Sequence, residues 1–325
     1  MLDTYPQEED TSAREPTGRD EWPHAQRYRL IGWAERNDFS PVLTAVLGGA
    51  LSFLVFQGVA LIATALLIGE ALTGATTTDE IAGVLAQHPD QLFAANAIGQ
   101  VIGLGMFSIF LARLHTPDVL AYLRVQRADV LMVLAACVGL FALMPFVSFI
   151  GELVRHIPLP DVVRAWDQQQ QELLARVLEG EVTLPLALLF VALTPAICEE
   201  LVFRGFIQRN VERRIGPMWA IVVVGFAFGL FHLRFVELIP LTLLGIYLCY
   251  VVWVTGSLWT GVAVHLLNNG TALIATNYAR ARPEPVVLEE LSVPWYLALG
   301  GLLVTVAIVL FLMRRREVLL GKAPT

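Results

Sequence analysis

The sequence predicts an all-α polytopic membrane protein with about eight transmembrane helices and both termini in the cytoplasm. Three observations lead to this prediction. The 325-residue chain is 56% hydrophobic and only 16% charged, whereas soluble domains average about 25% charged residues. Apolar runs recur that are long enough to cross a bilayer, which takes about 20 mostly apolar residues per helix. The arginines cluster in alternate connections, as expected when those connections are cytoplasmic.

Eight apolar segments qualify as spans, and the last one ends at Arg314-Arg315-Arg316. The fifth is short and contains Gly225 and Gly229. The predicted spans are Pro41–Ile68, Leu92–Leu111, Val130–Ile150, Leu184–Phe206, Pro217–His232, Leu238–Val254, Leu258–Ile274 and Trp295–Met313. Between the third and fourth spans, residues 151–183 carry an approximate helical stripe of apolar residues. This connection is either an interfacial helix or a solvated one.

The positions of the arginines determine the predicted orientation of the chain in the membrane. They occur in the N-terminal tail, after the second span, after the fourth span and after the last one, whereas residues 69–91 contain no Lys or Arg. Adding or removing one helix would place part of these arginines on the wrong side, so the count of eight and two cytoplasmic termini support each other. The polar tail lacks the pattern of a cleaved signal peptide.

Four regions follow from this organisation. Residues 1–40 form a polar cytoplasmic tail, and residues 41–183 hold the first transmembrane helices and their loops. Residues 184–275 form a core with polar groups inside apolar helices. Residues 276–325 hold the last loop, the final helix and a basic tail. No basic patch suggests nucleic acid, and Cys137, Cys198 and Cys249 lie at unrelated spacings that predict neither disulfides nor a zinc site.

The polar groups of the core predict a buried site. Ionisable side chains at bilayer depth usually face the bundle interior, pair with each other and serve a function. Glu200 and Arg204 share a helix face because they lie four residues apart, while Glu199 points roughly 100° away. Phe228 and His232, and likewise His265 and Asn269, have the same spacing. Carboxylate, imidazole and amide groups together supply a base, a water site and oxyanion donors for amide hydrolysis.

Each feature by itself allows other interpretations. A lone histidine in a membrane helix is more often a packing residue or part of a proton path, and a Glu–Arg pair is as often structural or part of a transporter. Neither HExxH nor GxSxG occurs in the chain, which disfavours a zincin-type protease and a serine hydrolase.

The three motifs in this order resemble the signature of the CPBP family. They are Glu199-Glu200-xxx-Arg204, Phe228-xxx-His232 and His265-xxx-Asn269, and the resemblance covers about Leu184 to Ala275. The family includes CAAX prenyl endopeptidases and bacteriocin-processing or self-immunity membrane proteins. The resemblance implies an intramembrane endopeptidase that cleaves a membrane-embedded or membrane-proximal peptide near the cytoplasmic face.

The same resemblance implies a role for each motif residue. Glu199 and His232 would activate water, and His265 and Asn269 would form the oxyanion site. Glu200, Arg204 and Phe228 would support them. If the reaction needed zinc, its ligands would be Glu199, His232 and His265 with one open position. We favour a mechanism without metal because it uses the free glutamate and the amide.

Two other functions compete with the enzyme. The chain would be a non-catalytic immunity or scaffold protein if only the Glu200–Arg204 pair mattered. A transporter is the third hypothesis. Inverted repeats or broken helices would favour it. In each case the protein is a multi-pass integral membrane protein, in the plasma (inner) membrane if the source is bacterial.

Overall fold

The computed structural model describes residues 17–18, 28–179, 183–280 and 292–321. Most of the N-terminal tail, residues 281–291 of the last loop and the final residues 322–325 lie outside this description. Within it, eight long helices correspond to the eight predicted spans, which confirms the all-α architecture. We number them α1 to α8: Pro41–Ile68, Pro89–Arg113, Val130–Arg155, Leu184–Ile215, Pro217–Phe231, Leu238–Thr255, Leu258–Arg280 and Trp295–Leu319. Thr17–Gly18 pairs with Tyr28–Arg29 as a minimal antiparallel ladder.

Six of these helices are long and apolar enough to cross a membrane, and they make the chain a multi-pass integral membrane protein. The other two are α5, which has only 15 residues, and α7, which carries polar residues at its centre. Whether α5 and α7 also span the bilayer, and on which side the termini lie, stay predictions.

Shorter helices fill the connections. Trp33–Arg36 precedes α1, Thr78–Gln87 precedes α2, Val119–Tyr122 follows α2, and Asp161–Glu179 links α3 to α4. The last of these confirms a helix in the amphipathic stretch of residues 151–183. Most of the helices extend beyond their predicted apolar cores. For example, α4 continues from Phe206 to Ile215 through polar residues.

Two π-helical segments, Leu188–Leu193 and Leu201–Ile207, interrupt α4. The second one begins directly after Glu200. Single π turns within α-helices often occur at functional sites, because the wider turn changes the direction of the side chains around it. Glu199 and Glu200 therefore lie at a point where the helix geometry changes.

Close packing of α5 against α6 brings the backbone carbonyl of Gly245 toward Arg204 in α4. A Cβ atom at Gly225 would lie 2.6 Å from the backbone nitrogen of Ile246, and one at Gly245 would lie 2.6 Å from the carbonyl oxygen of Gly225. Only glycine allows the two backbones to approach this closely. The main hydrophobic core joins α4, α5 and α6 to α3 and α8, and the polar site lies within it.

Candidate active site

Glu200 stands at the centre of the polar site. Its Oε1 accepts a hydrogen bond of 2.8 Å from Nη1 of Arg204 and lies 3.0 Å from Nδ1 of His265. The structure thus confirms the predicted Glu200–Arg204 pair. Glu200 and Arg204 are fully buried, and His265 is 2% exposed. A buried ion pair is stable only with close geometry and further hydrogen bonds, and His265 supplies one of them.

Arg204 is held from two further directions. Its Nη2 donates to the carbonyl oxygen of Gly245 at 3.2 Å, and its guanidinium carbon lies 4.4 Å from the ring centre of Phe228. A desolvated cation–π contact contributes about 2 kcal/mol. The planar guanidinium suits this combination of carboxylate, carbonyl and ring better than an ammonium group would. Arg204 therefore fixes Glu200 and links α4 to α5 and α6.

Gly261 is part of the site although the motifs did not include it. A Cβ atom at this position would overlap Oε2 of Glu200 and lie 2.6 Å from Cγ2 of Val252. Helix α7 can bring His265 to Glu200 only because Gly261 has no side chain. The signal was present in the sequence, since Gly261 and His265 lie four residues apart and so share a face of α7.

Glu199 is buried but differs from Glu200 in its contacts. Its side chain is 9% exposed, and its Oε2 lies 4.0 Å from Nε2 of His265. That oxygen has no hydrogen-bond partner among the described residues. A distance of 4.0 Å is too long for a direct hydrogen bond, but it leaves both atoms within reach of one small molecule between them.

Hydrogen bonds define which nitrogen of each histidine carries the proton. Nδ1 of His232 lies 2.8 Å from the carbonyl oxygen of Phe228, and Nδ1 of His265 faces the Glu200 carboxylate. Carbonyl and ionised carboxylate oxygens only accept, so Nδ1 is the donor in both rings. The Nε2 atom of each neutral ring is then an acceptor.

Phe228 brings the two histidines together. Its ring packs edge-on against the rings of His232 and His265, with centroids 4.8 and 5.8 Å apart. Phe203 packs on it as well, at 5.3 Å. Phe228 is 1% exposed. The sequence suggested only a supporting residue here, whereas the structure has one ring in contact with Arg204 and with both imidazoles.

Asn269 lies one turn beyond His265 on α7 and is half-buried. Its Oδ1 accepts a hydrogen bond of 3.0 Å from Nδ2 of Asn268. With its oxygen engaged in this way, Asn269 presents its amide N–H groups as donors.

Asp167 and Trp166 are further residues that the motifs did not reveal. Asp167 accepts hydrogen bonds of 3.0 Å from the backbone N–H groups of Phe235 and Val236. The indole of Trp166 donates to the carbonyl oxygen of Leu233 at 2.8 Å. Both residues belong to the Asp161–Glu179 helix, so that helix holds the turn directly after His232. In the sequence they were only part of an amphipathic stripe.

The zinc ligands that the sequence suggested are not grouped as a metal site. Among the described residues, no set of three or more His, Cys, Asp or Glu side chains is placed to hold a metal ion, and this includes Glu199, His232 and His265. The Nδ1 contacts of His232 and His265 leave Nε2 of each ring available for a water molecule or another ligand.

The fold and the site together define an integral membrane protein with a buried cluster of carboxylate and imidazole groups. Residues 181–271 match the family model described as "Type II CAAX prenyl endopeptidase Rce1-like". The chain thus carries an Rce1-like domain from α4 into α7, which confirms the resemblance seen in the motifs. At the level of the family this indicates a protease that acts on peptides in a membrane. The comparisons with curated proteins and with solved structures give no match.

Proposed function

We propose that this protein is an intramembrane endopeptidase in which Glu199 activates water for attack on a peptide bond. One observation carries the proposal. Glu199 is a buried carboxylate with an unpartnered oxygen, 4.0 Å from the Nε2 atom of His265. An unpaired buried polar group costs free energy, and such groups inside membrane proteins are retained for function.

The attacking water would bind between Glu199 and His265. Its two protons would point to the Oε2 atom of Glu199 and the Nε2 atom of His265, which both accept when the carboxylate is ionised and the imidazole is neutral. Glu199 would take one proton while the water oxygen bonds to the substrate carbonyl carbon. Glu200 and Arg204 would keep the His265 ring oriented throughout, because Glu200 accepts from its Nδ1.

Asn269, one turn after His265 on α7, would donate to the developing oxyanion. Neither neutral imidazole donates through Nε2, so the donor role expected for His265 would require the charged ring. The Asn269 amide donates without any change of protonation. When the intermediate collapses, the carbon–nitrogen bond breaks and the proton held by Glu199 passes to the leaving amine. His232, whose Nε2 is also an acceptor, would orient the water or that amine.

The observed contacts favour this function over the two alternatives. A scaffold would need only the pair of Glu200 and Arg204, and it would gain no stability from a second buried carboxylate beside it. A proton-coupled transporter would use a chain of titratable groups along the bundle. Among the described residues, the Glu–His contacts within the predicted spans are instead confined to the cluster around Phe228. The contact of Glu35 with His115 lies in segments outside those spans.

An apolar cavity next to the site suits a membrane-embedded substrate. It has a volume of about 460 Å³ and lies between α1, α4 and α5, where Phe53, Phe203, Phe231 and Leu233 contribute to its walls. Phe231 is adjacent to His232 in the chain. Such a cavity would accept apolar side chains or a lipid tail of the substrate near the cleavage site.

The direct test is to map new N-termini in the membrane proteome of cells that express the wild-type protein or Glu199→Gln. The substitution keeps size and hydrogen bonding but removes the base. We expect cleavage sites that occur with the wild type and vanish with Glu199→Gln. Asp129→Asn, which changes a carboxylate far from the site, is the control and should retain them. Identical sites in all three samples would refute the proposal.

A further inference from the structure

The turn between α5 and α6 has an unfavourable backbone conformation directly beside His232. Helix α5 ends at Phe231, and α6 begins at Leu238. Leu233, the residue after His232, has a φ of 53°. This left-handed conformation is uncommon for a residue other than glycine, and it persists only where the surrounding structure holds it. Contacts from outside the turn are therefore expected to stabilise it.

Three hydrogen bonds from the helix that links α3 to α4 hold this turn. The carboxylate of Asp167 accepts one bond through each oxygen, from the backbone N–H groups of Phe235 and Val236, both at 3.0 Å. The indole N–H of Trp166 donates to the carbonyl oxygen of Leu233 at 2.8 Å. The backbone of the left-handed residue and the residues before α6 are thus bound to one connecting helix.

Asp167 is the buried member of this pair of residues. It is 4% exposed, whereas the neighbouring Trp166 is 42% exposed. The two N–H groups that it binds precede the first turn of α6, and the N-terminus of a helix favours a negative charge nearby. Without the Asp167 carboxylate, both N–H groups would lose their acceptor, which is costly for groups that are partly shielded from water. The connecting helix and the turn therefore form one unit that depends on Asp167.

The position of His232 depends on the same turn. His232 is the C-terminal cap residue of α5, so the backbone of the turn starts from it. Its Nδ1 lies 2.8 Å from the carbonyl oxygen of Phe228, and this bond orients the ring relative to α5. The contacts of Asp167 and Trp166 with the following residues hold the end of α5 in place. Asp167 thus acts on His232 through the backbone of the turn.

We infer that Asp167 is a positioning residue for the reaction: by holding the turn, it keeps the imidazole of His232 in the orientation that cleavage requires. Asp167 acts through His232 and not on the water or the substrate. The inference rests on the proposed function for the role of His232 in cleavage, but the dependence of the His232 ring on Asp167 can be measured without it. The connecting helix is then part of the catalytic apparatus and not only a link between α3 and α4.

Nitrogen NMR of the histidine rings tests the positioning without any substrate. The purified protein is isotopically labelled at its histidine nitrogens, and His232→Ala identifies the His232 signals. In the wild type we expect the tautomer with the proton on Nδ1, because Nδ1 donates to a carbonyl oxygen. Asp167→Ala should shift these signals toward the averaged values of a ring that exchanges between tautomers. Asp161→Asn, which changes an exposed carboxylate at the start of the same helix, is the control and should leave them unchanged.

Cleavage of a peptide from the map of cleavage sites gives the second readout. Asp167→Ala should lower kcat at least about tenfold with little change in KM, and Asp161→Asn should match the wild type. Asp167→Asn keeps one acceptor oxygen, so its effects should be intermediate, and it serves as the test if Asp167→Ala does not fold. Unchanged His232 signals, even with a lower melting temperature, or an unchanged kcat would overturn the inference. If the wild type cleaves nothing, the proposed function fails, while the NMR result still decides whether Asp167 positions His232.

Discussion

The protein contains two similar Glu–His–Arg clusters in different surroundings. Near the start of α1 and the end of α4, Glu35 binds Nδ1 of His115 at 2.7 Å and both terminal nitrogens of Arg213 at 2.9 Å. In the candidate site, Glu200 also contacts a histidine and an arginine, His265 and Arg204, but through Oε1 alone. In the first cluster both carboxylate oxygens are engaged. In the second, Glu200 leaves one oxygen unpartnered, and another buried carboxylate, Glu199, lies beside it with an unpartnered oxygen of its own.

This difference separates the Glu35 cluster, which is structural, from the cluster that we propose to be catalytic. The Glu35 cluster joins the N-terminal segment to the end of α4 and leaves no carboxylate oxygen of Glu35 for another partner. The Glu200 cluster performs the same structural task for α4, α6 and α7, and in addition orients an imidazole toward Glu199. The residue combination alone therefore does not identify a site. The proposal of a catalytic site depends on the additional carboxylate of Glu199 and on the amide of Asn269.

Removing the central carboxylate should have the largest effect on stability. Glu200→Gln leaves Arg204 buried without its ion pair, which costs about 3–5 kcal/mol, so folded yield and thermal stability in detergent should fall sharply. Asp129→Asn is the matched control because its partner Arg315 is 34% exposed, and an exposed pair contributes at most about 1 kcal/mol. Equal losses in the two variants would show that the buried pair has no special role.

Asn269→Ala tests the oxyanion donor. Loss of one such donor lowers turnover about 10²–10³-fold, and substrate binding should change much less because the interaction forms mainly in the transition state. Steady-state kinetics on a peptide taken from the cleavage map measures both. A loss confined to the Michaelis constant would exclude the assigned role.

The purified wild-type protein can be used to test whether activity depends on a bound metal ion. We expect activity without stoichiometric zinc, because a glutamate base and an amide donor can carry out the hydrolysis without an ion. Elemental analysis of active protein should find less than one zinc per chain. One tightly bound zinc, with activity lost on its removal and restored on its return, would overturn the metal-free mechanism.

Gly261→Ala tests whether activity depends on the close approach of α7 to Glu200. The added methyl group would meet Oε2 of Glu200 and Cγ2 of Val252, so it should displace α7 or the carboxylate and lower activity at least about tenfold, given the sensitivity of catalysis to small misplacements. Gly270→Ala is the control on the same helix, because its nearest neighbouring atom is 3.8 Å away. Equal activity in the two variants would mean that the approach of α7 to Glu200 is not critical.

The Glu35 cluster should give the smallest effect, and it depends on pH. Burial raises the pKa of Glu35, but hydrogen bonds from His115 and Arg213 outweigh burial and hold this pKa below its ordinary value. A lowered native pKa contributes stability above the ordinary value, and this contribution is lost as pH falls through the native pKa. The stability advantage of the wild type over Glu35→Gln should therefore shrink below about pH 4. An advantage that grows on acidification would contradict the assignment.

The sequence predicted the features that depend on local spacing or apolar length. The eight helices and the Glu200–Arg204 pair belong to this group, since both are properties of one continuous segment. The bond between Glu200 and His265 joins residues 65 positions apart and depends on the depth and rotation of α7, which periodicity does not define. The contacts of Asp167 with the turn after His232 depend in the same way on how a connecting helix packs. The Glu35 cluster joins residues from three separate segments, so no motif could reveal it.

The central claim is that Glu199 is a catalytic base while Glu35 is structural, and one paired measurement tests it. Glu199→Gln and Glu35→Gln are purified, and each is assayed for cleavage of the mapped peptide and for melting temperature. We predict that Glu199→Gln loses cleavage by at least about 10³-fold without a lower melting temperature. Glu35→Gln should keep cleavage and melt at a lower temperature. Full cleavage by Glu199→Gln would contradict the account.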